Sequence, residues 1–423
     1  MRLKPAAETD RTLIRAGASS TRYVRFCFIA PEAPRERHRL PLNVSLVLDR
    51  SGSMSGDKFE LARQAAHKAL QLLTSDDRFS VVVYDTEIDV VSGSTHATAD
   101  ARRIARERMA EIEPRGSTNL CGGWLRGCEQ VGLGMTRDTI GRCLLLTDGL
   151  ANVGITDGHQ LRHHAGELRA RGVATSTFGV GADFDERLLQ GMADASGGHF
   201  YYLQDAAQIP DLLASEMGEA LEVVARESTL DVRVPEGVTV EPLNRLRMHR
   251  NQGTTSIVLD DLVSGQEVEL VLAFTFPRGH EGQRLEATLS LGDRDGVLDA
   301  LERRVEWTYA SHAENDRQHR NLAVDRAVAA QYAGRARSQA VERNREGDLE
   351  GAKRELQATA NKIRGYANGD AELVGLVSEL DRQSEEYASR PMSSPELKSV
   401  VFANYAVGMN RASDGRAKRA GKR

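Results

Sequence analysis

The sequence has few cysteines and no long apolar run, and both shortages exclude classes of protein. Its four cysteines, Cys27, Cys121, Cys128 and Cys143, form no CxxC pair, so neither a disulfide framework nor a zinc site is indicated. No apolar stretch approaches the roughly 20 residues needed to cross a bilayer. The amino terminus lacks the apolar core of a signal peptide. We therefore expect a cytoplasmic protein that contacts no membrane and buries its cysteines as small apolar groups.

A basic surface and the common catalytic signatures are also missing. The formal net charge is −5, which gives no general positive surface for nucleic acid. The chain contains no Walker A sequence, no GxGxxG strand–helix unit and no GxSxG elbow. His163 and His164 fall in a helical segment predicted to face solvent, without an HExxH arrangement, and His199 is expected to pack at the start of a strand. We therefore expect a protein that is not an enzyme.

The sequence between residues 41 and 226 alternates between short aliphatic runs and longer segments with helical spacing. This alternation predicts an α/β fold with a doubly wound, mostly parallel sheet, and a short run at 87–91 predicts one antiparallel edge strand. The predicted parallel strands are 43–48, 79–84, 142–147 and 173–180. The predicted helices are 57–74, 100–112, 119–131, 157–171, 185–196 and 205–224.

The flanking segments have different patterns. Residues 227–310 alternate with period two between turn sequences, which predicts a β-sandwich domain. Residues 1–40 contain similar strands, and we expect them to pair with the sandwich, so that the α/β domain is an insertion in it. Residues 311–411 are predicted to form a helical bundle with joints at Gly347-Asp348 and Gly369-Asp370. The basic tail 412–423 is predicted to be disordered.

Oxygen-bearing side chains follow the predicted parallel strands. Asp49 and Asp148 each come directly after a strand, Ser51 and Ser53 alternate with Asp49, and Thr118 lies in a loop that leads into a helix. Because ligands collect at the carboxyl ends of strands in open α/β sheets, these side chains are predicted to meet there. Such hard oxygens suit Mg²⁺, with Mn²⁺ or Ca²⁺ as alternatives. The competing interpretation is an Asx-turn and helix cap formed by Asp49 and Ser51.

The segments LVLDRSGSM, GSTNL and LLLTDGLANVG resemble, in order and spacing, three motifs of von Willebrand factor type A domains. The resemblance covers roughly residues 40–224 and implies a metal-ion-dependent adhesion site. In such a site the hydroxyl ligands would be Ser51, Ser53 and Thr118, while Asp49 and Asp148 would act mainly through waters. An aspartate or glutamate of a partner protein completes the shell in this family. The flanking segments are similar to those of bacterial cytosolic proteins with this domain.

Further residues are predicted to border the metal site. Arg50 occupies a motif position that is often small in relatives, where it would favour acidic partners or would simply be solvated. Asp85 follows the strand 79–84 and is either part of the same rim or a turn former. Asn119 and Asn152 stand beside the ligand motifs. The predicted partner-binding rim is therefore Arg50, Asp85, Asn119 and Asn152.

Three functions fit these residues. The leading hypothesis is a Mg²⁺-dependent adaptor that binds an acidic residue of a protein partner. The second is an adaptor subunit of an AAA+ ATPase of the MoxR or chelatase type, with the ATPase on a separate chain. The third is a metal-dependent hydrolase that uses the same oxygens. The helical segment is either a second protein-binding surface or an ordinary bundle packed on the sandwich.

Overall fold

The structure, a computed structural model, describes residues 5–33, 39–298 and 301–419. The strands are β1 (Ala6–Thr9), β2 (Leu13–Arg15), β3 (Ser20–Ile29), β4 (Leu42–Asp49), β5 (Arg78–Tyr84), β6 (Ile88–His96), β7 (Ile140–Thr147), β8 (Val173–Val180), β9 (Phe200–Leu203), β10 (Val223–Arg233), β11 (Thr239–Pro242), β12 (Met248–Asn251), β13 (Thr254–Val263), β14 (Glu267–Phe276), β15 (Arg284–Gly292) and β16 (Leu301–Ala310). The helices are α1 (Asp57–Gln71), α2 (Ala99–Ala110), α3 (Leu120–Gly132), α4 (Gly158–Ala170), α5 (Glu186–Ser196), α6 (Ile209–Leu221), α7 (His312–Arg317), α8 (Leu322–Arg345), α9 (Leu349–Arg364), α10 (Ala371–Ser389) and α11 (Ser394–Gly408).

These elements form two compact units. The first consists of the described residues up to Ala33 together with those from Val223 onward, and the second consists of those between, ending at Glu222. The second unit contains one six-stranded sheet in the order β6-β5-β4-β7-β8-β9. β6 is antiparallel to β5, and the other neighbours are parallel. The predicted α/β fold with one antiparallel edge strand is confirmed.

Helix α3 packs unusually close to the sheet of the second unit. A Cβ built on Gly123 would lie 2.4 Å from Tyr84 Cγ, and one built on Gly127 would lie 2.2 Å from Val47 Cγ2. These two glycines are one turn apart, so they form a flat stripe on the face of α3 that contacts β4 and β5. The loop that precedes α3 is thereby held at the carboxyl ends of these strands.

The amino-terminal end of β4 is fixed by the carboxylate of Asp77. Oδ1 of Asp77 accepts from the backbone N–H of Leu42 at 2.8 Å, and Arg39 donates to both carboxylate oxygens. The backbone N–H of Thr74 donates to Oδ2 at 2.7 Å. Burial alone would raise the pKa of Asp77, but the Arg39 guanidinium and these N–H donors hold that pKa below its ordinary value.

The first unit combines a β-sandwich with helices. One sheet has the order β1-β3-β14-β11 and the other the order β12-β13-β10-β15-β16-β2. The long pairing of β3 with β14 joins the two segments of the chain that form this unit, with Ser20 opposite Phe276 and Ile29 opposite Glu267. In the core, the ring of Trp307 lies 4.9–5.0 Å from the rings of Phe274 and Phe276. Strands near the amino terminus are thus integral to this unit.

Two helices of the first unit, α9 and α10, begin where the sequence pattern predicts. Gly347 and Gly369 have φ values of +82° and +78°, the left-handed conformation in which glycine ends a helix. Asp348 and Asp370 then cap α9 and α10 by accepting backbone N–H groups. Helix α8 packs on the sandwich through an apolar cluster that contains Val324, Ala327, Val328, Leu243 and Val271. This packing corresponds to the bundle interpretation of the segment.

The predicted disorder of the tail is wrong for residues 412–419. The backbone N–H of Glu267 donates to Lys418 O at 2.8 Å, and Arg419 forms an isolated bridge with Gln266. Ala412 and Arg416 close a turn by a backbone hydrogen bond of 2.9 Å. Backbone pairing beside β14 holds a segment whose side chains offer no apolar anchor. The rest of this prediction, 420–423, lies outside the described residues.

The cysteines are free, as the sequence predicts. Cys121, Cys128 and Cys143 are buried, and Cys27 is half-buried. Burial raises the pKa of the Cys143 thiol well above its ordinary value, and contact with the Cys128 thiol adds to that effect. Across the described ranges, no helix combines the length and the apolar character that crossing a membrane requires.

Candidate metal-binding site

Three loops meet at the carboxyl end of β4. Asp49 is the last residue of β4, and Asp148 directly follows β7, the strand beside it. The loop before α3 joins them because the backbone N–H of Gly52 donates to Gly116 O at 3.1 Å. The loop after β7 is attached to the same place, since the N–H of Asn152 donates to Thr118 O at 3.1 Å. The predicted ligand motifs therefore lie together.

The loop after β4 is a turn organised by Asp49. Oδ1 of Asp49 accepts from the backbone N–H of Ser51 at 2.7 Å, and Oδ2 accepts from Thr147 Oγ1 at 2.6 Å. The Asx-turn of the competing interpretation is thus present. The helix cap is not, because Gly56 is the residue before α1 and no side chain caps it. The turn instead brings the hydroxyl oxygens of Ser51 and Ser53 to 3.1 Å from each other.

The hydroxyl group of Ser53 connects this turn to Asp148, the acid that follows the neighbouring strand β7. Ser53 Oγ donates to Asp148 Oδ1 at 2.6 Å. A Cβ built on Gly149 would lie 3.2 Å from Thr118 Oγ1 and 3.7 Å from Ser53 Oγ, so Thr118 borders the same space and Gly149 leaves it open. Neighbouring oxygens of a magnesium octahedron are separated by roughly 2.9 Å. The observed separations are close to that value, and the donor set fits a hard divalent cation.

Burial makes the acids of this cluster costly without a cation. The side chain of Asp49 is fully buried, and burial raises its pKa to about 6 despite the hydroxyl and N–H donors of Thr147 and Ser51. The side chain of Asp148 is equally buried, and Lys58 Nζ lies 2.5 Å from its Oδ2. The hydroxyl groups of Ser51, Ser53 and Thr118 form what we call the hydroxyl cluster. The two carboxylates create a negative potential at this cluster, which a metal ion would neutralise.

Two predicted rim residues, Arg50 and Asp85, are buried instead. Arg50 Nε donates to Asp85 Oδ2 at 3.0 Å, and its Nη2 pairs with Asp89. Arg115 donates to the same oxygen of Asp85 at 2.9 Å. Burial would raise the pKa of Asp85, but the N–H of Glu87 and the two guanidinium groups hold it below its ordinary value. Arg50 is therefore part of an internal ion-pair network that fixes the loop, and the prediction that it meets acidic partners is wrong.

The two predicted asparagines have different positions. Asn119 is the N-cap of α3, and its Oδ1 accepts from the N–H of Gly122 at 3.1 Å. Its side chain is therefore committed to the helix end. Asn152 is exposed in the loop after β7 and remains on the surface beside the cluster.

Sequence reasoning missed Lys58, which stands in the first turn of α1. Lys58 also donates to Ser53 O at 3.3 Å, and about a third of its side chain is exposed. It lines a groove of about 710 Å³ together with Val180, Gly181, Gln204, Asp205, Ala206, Ala207 and Gln208. The available signal was its position shortly after Ser53, in the first turn of a helix that starts at the site.

A second group of possible metal ligands lies beside the start of β9. Ligand atoms of His199, Glu216 and Glu219 all lie within 4.8 Å of one another. Ser176 Oγ and Tyr201 Oη donate to Glu216 at 2.5 and 2.6 Å, and His199 Nδ1 lies 3.0 Å from its Oε2. These contacts form a mostly buried hydrogen-bond network, and His199 packs at the start of β9 as predicted. Of the two histidines predicted to face solvent, His163 does so with 73% of its side chain exposed, whereas His164 is half-buried.

Comparisons with known proteins show which families and structures this chain resembles. A family model of the von Willebrand factor type A domain matches residues 43–215. The uncharacterized protein YfbK of Escherichia coli is 31% identical over 200 residues, 46% of this chain and 34% of that protein. Inter-alpha-trypsin inhibitor heavy chain H1 of Homo sapiens is 24% identical over 389 residues, 88% of this chain and 40% of that protein. The chain thus spans less than half the length of either relative.

Two solved structures share the fold over nearly the whole chain. The von Willebrand factor type A protein from Catenulispora acidiphila has a TM-score of 0.70 at 18% identity, covering 99% of this chain and 98% of that one. The ArnB paralog VWA2 from Sulfolobus acidocaldarius has a TM-score of 0.58 at 17% identity, covering 96% and 98%. The fold likeness therefore includes the sandwich and the helices. Residues 43–215 carry a von Willebrand factor type A domain, and the chain shares its fold with proteins that contain this domain.

Proposed function

We propose that this protein is a metal-dependent interaction module that binds an acidic residue of a partner protein through a divalent cation. The observation that carries the proposal is the convergence of Asp49, Ser51, Ser53, Thr118 and Asp148 at the carboxyl end of β4. Ser51, Ser53 and Thr118 would supply neutral hydroxyl ligands, and the two aspartates would bind through waters or directly. An ion held in this way keeps a coordination position for a ligand from outside.

Mg²⁺ is the cation that this donor set suits best. The cluster offers only oxygens, and Mg²⁺ commonly retains waters and completes its octahedron from a bound ligand. Mn²⁺ has the same preference for oxygen and serves as a spectroscopic substitute, and Ca²⁺ would need more ligands. The ion, when bound, supplies a positive charge. The surroundings of the site are partly hydrophobic, because Leu150 in the adjacent loop is 49% exposed. A partner carboxylate would be the directed anchor of an ordinary protein interface.

Binding is proposed over catalysis because the acidic groups near the cluster are already engaged. Asp85 is held by Arg50 and Arg115, and Asp148 is held by Ser53 and Lys58. A general base needs a carboxylate or imidazole that can reach a substrate proton. The acids at this site are fixed by internal donors, which suits ligand positioning for a metal.

The test is metal-dependent capture of partner proteins. Immobilised protein is incubated with cell extract in Mg²⁺ and then eluted with EDTA, and Ser53→Ala is run in parallel. We expect a set of proteins that requires Mg²⁺, is released by EDTA and is not retained by the variant. Retention of the same proteins in EDTA and by Ser53→Ala would contradict the proposal. Direct titration with Mn²⁺ gives the metal affinity independently of any partner.

A further inference from the structure

Lys58 and Ser53 each contact a different carboxylate oxygen of Asp148. Asp148 Oδ1 accepts from Ser53 Oγ at 2.6 Å, and Oδ2 lies 2.5 Å from Lys58 Nζ. The acid is fully buried, whereas 34% of the lysine side chain is exposed and borders the groove beside α1. A permanent cation therefore stands next to the position that the proposed function gives to a divalent ion.

We propose that Lys58 is a tethered cation with two tasks: it keeps the metal-free site folded, and it sets the charge of the loaded site. This inference rests on the proposed function, because it assumes that a divalent ion binds at the hydroxyl cluster. Lys58 acts on that ion through Asp148 and is a positioning residue.

The first task follows from the cost of a buried carboxylate. An isolated ionised acid inside a protein is strongly destabilising unless a cation or several donors compensate it. Lys58 gives Asp148 that compensation whether or not a metal ion is present. The loop after β4 and the loop after β7 thus keep their geometry in the metal-free protein, and Lys58 contributes a further bond to the first of these loops through Ser53 O.

The second task follows from charge balance. Asp49 and Asp148 together cancel the charge of one divalent ion, which would leave a neutral site with little attraction for an anion. The Lys58 ammonium adds one positive charge at short distance, so that the loaded site attracts a carboxylate. The same charge repels the incoming metal ion. Lys58 therefore lowers metal affinity and raises affinity for an acidic partner, and these opposite effects distinguish it from a merely structural residue.

The experiment compares Lys58→Met with Lys68→Met, an exposed lysine of the same helix. The dissociation constant for Mn²⁺ is measured from the electron paramagnetic resonance signal of the free ion, and thermal melting is followed in EDTA and in Mn²⁺. We expect Lys58→Met to bind Mn²⁺ about tenfold more tightly than the unaltered protein. The melting temperature of Lys58→Met should also be lower in EDTA than that of the unaltered protein. It should rise more when Mn²⁺ is added, since a ligand that binds only the folded state stabilises that state. Lys68→Met should behave as the unaltered protein.

A second variant covers the case in which Lys58→Met does not fold. Lys58→Gln keeps a hydrogen-bond donor for Asp148 without the charge, and it should show the same tightening for Mn²⁺. Unchanged or weaker Mn²⁺ binding by the neutral variants, while the unaltered protein binds Mn²⁺, would overturn the inference and leave the proposed function intact. Absence of Mn²⁺ binding in the unaltered protein, or full binding by Ser51→Ala, would overturn the proposed function itself and with it the inference.

Discussion

Arg50 Nε donates to Asp85 Oδ2 at 3.0 Å, and both side chains are almost completely buried. This ion pair joins the loop after β4 to the loop after β5, and Arg115 and Asp89 extend it toward the surface. In the sequence, Arg50 stands between Asp49 and Ser51. Its side chain is buried against Asp85, whereas the hydroxyl groups of Ser51 and Ser53 lie together in the hydroxyl cluster. The ion pair thus fixes the turn that carries Ser51 and Ser53.

Loss of the Arg50 guanidinium should destabilise the protein. Arg50→Met leaves Asp85 buried with only the partly exposed Arg115 as a cation, and breaking a buried pair commonly costs several kcal/mol. Because Arg115 remains, we expect a loss of about 2 kcal/mol in the free energy of unfolding, measured by urea denaturation. Arg126→Met, in an exposed pair with Glu129, is the control and should change stability by less than about 0.5 kcal/mol. Equal effects of the two substitutions would contradict the assigned role.

Gly149→Ala should weaken metal binding with little effect on the fold. The added methyl group would lie 3.2 Å from Thr118 Oγ1, a tight contact that pushes this hydroxyl out of place. We expect about a tenfold loss in Mn²⁺ affinity, the usual scale for residues that position metal ligands. Gly166→Ala, in open space on α4, is the matched control and should leave the affinity unchanged. Unaltered affinity of Gly149→Ala would place Thr118 outside the metal site.

Alanine at Gly123 should destabilise the domain because α3 would have to move off the sheet. The new Cβ would lie 2.4 Å from Tyr84 Cγ, well inside van der Waals contact. Overpacking of this kind costs about 1–3 kcal/mol, which a thermal melt detects as a lower midpoint. Gly132→Ala, at the end of the same helix with no atom within 4 Å, should instead be neutral or slightly stabilising. A neutral Gly123→Ala would show that α3 does not pack as described.

Asp77 should give the domain a pH-dependent contribution to stability. Its pKa in the folded protein is below its ordinary value, so its contribution is fully present above the unfolded pKa, near 4, and is lost as the pH falls through the folded pKa. Asp77→Asn should cost about 2 kcal/mol at pH 7, from weaker bonds to Arg39 and to two backbone N–H groups. The difference between the two proteins should shrink below about pH 4. A difference that stays constant down to pH 2 would refute this role of the carboxylate.

The alternation of apolar runs and helical segments was sufficient to predict the α/β fold. Each of the four predicted parallel strands begins and ends within about two residues of its observed bounds, because these strands are short, mostly aliphatic or β-branched segments that lie between longer helical ones. The tail was mispredicted because residues 412–419 are held by backbone hydrogen bonds, and composition carries no signal for these. The same composition would fit a disordered tail.

The ligand motifs were also predictable, whereas the charged residues around them were not. Short side chains such as Ser51 and Ser53 are placed by the backbone turn, so their spacing shows that they converge. Arg50 and Lys58 have long side chains, and their directions depend on acids about 35 and 90 positions away in sequence. Only the assembled sheet shows that Arg50 is buried against Asp85 and that Lys58 reaches Asp148.

The position of a bound ion shows directly whether Ser51, Ser53 and Thr118 hold a metal. Crystals soaked in MnCl₂ and measured at a wavelength where manganese scatters anomalously locate every Mn²⁺ ion in the protein. We expect a single strong anomalous peak in the second unit, within coordination distance of the hydroxyl oxygens of Ser51, Ser53 and Thr118. A map with no peak there, or with its peak between His199, Glu216 and Glu219, would contradict this expectation.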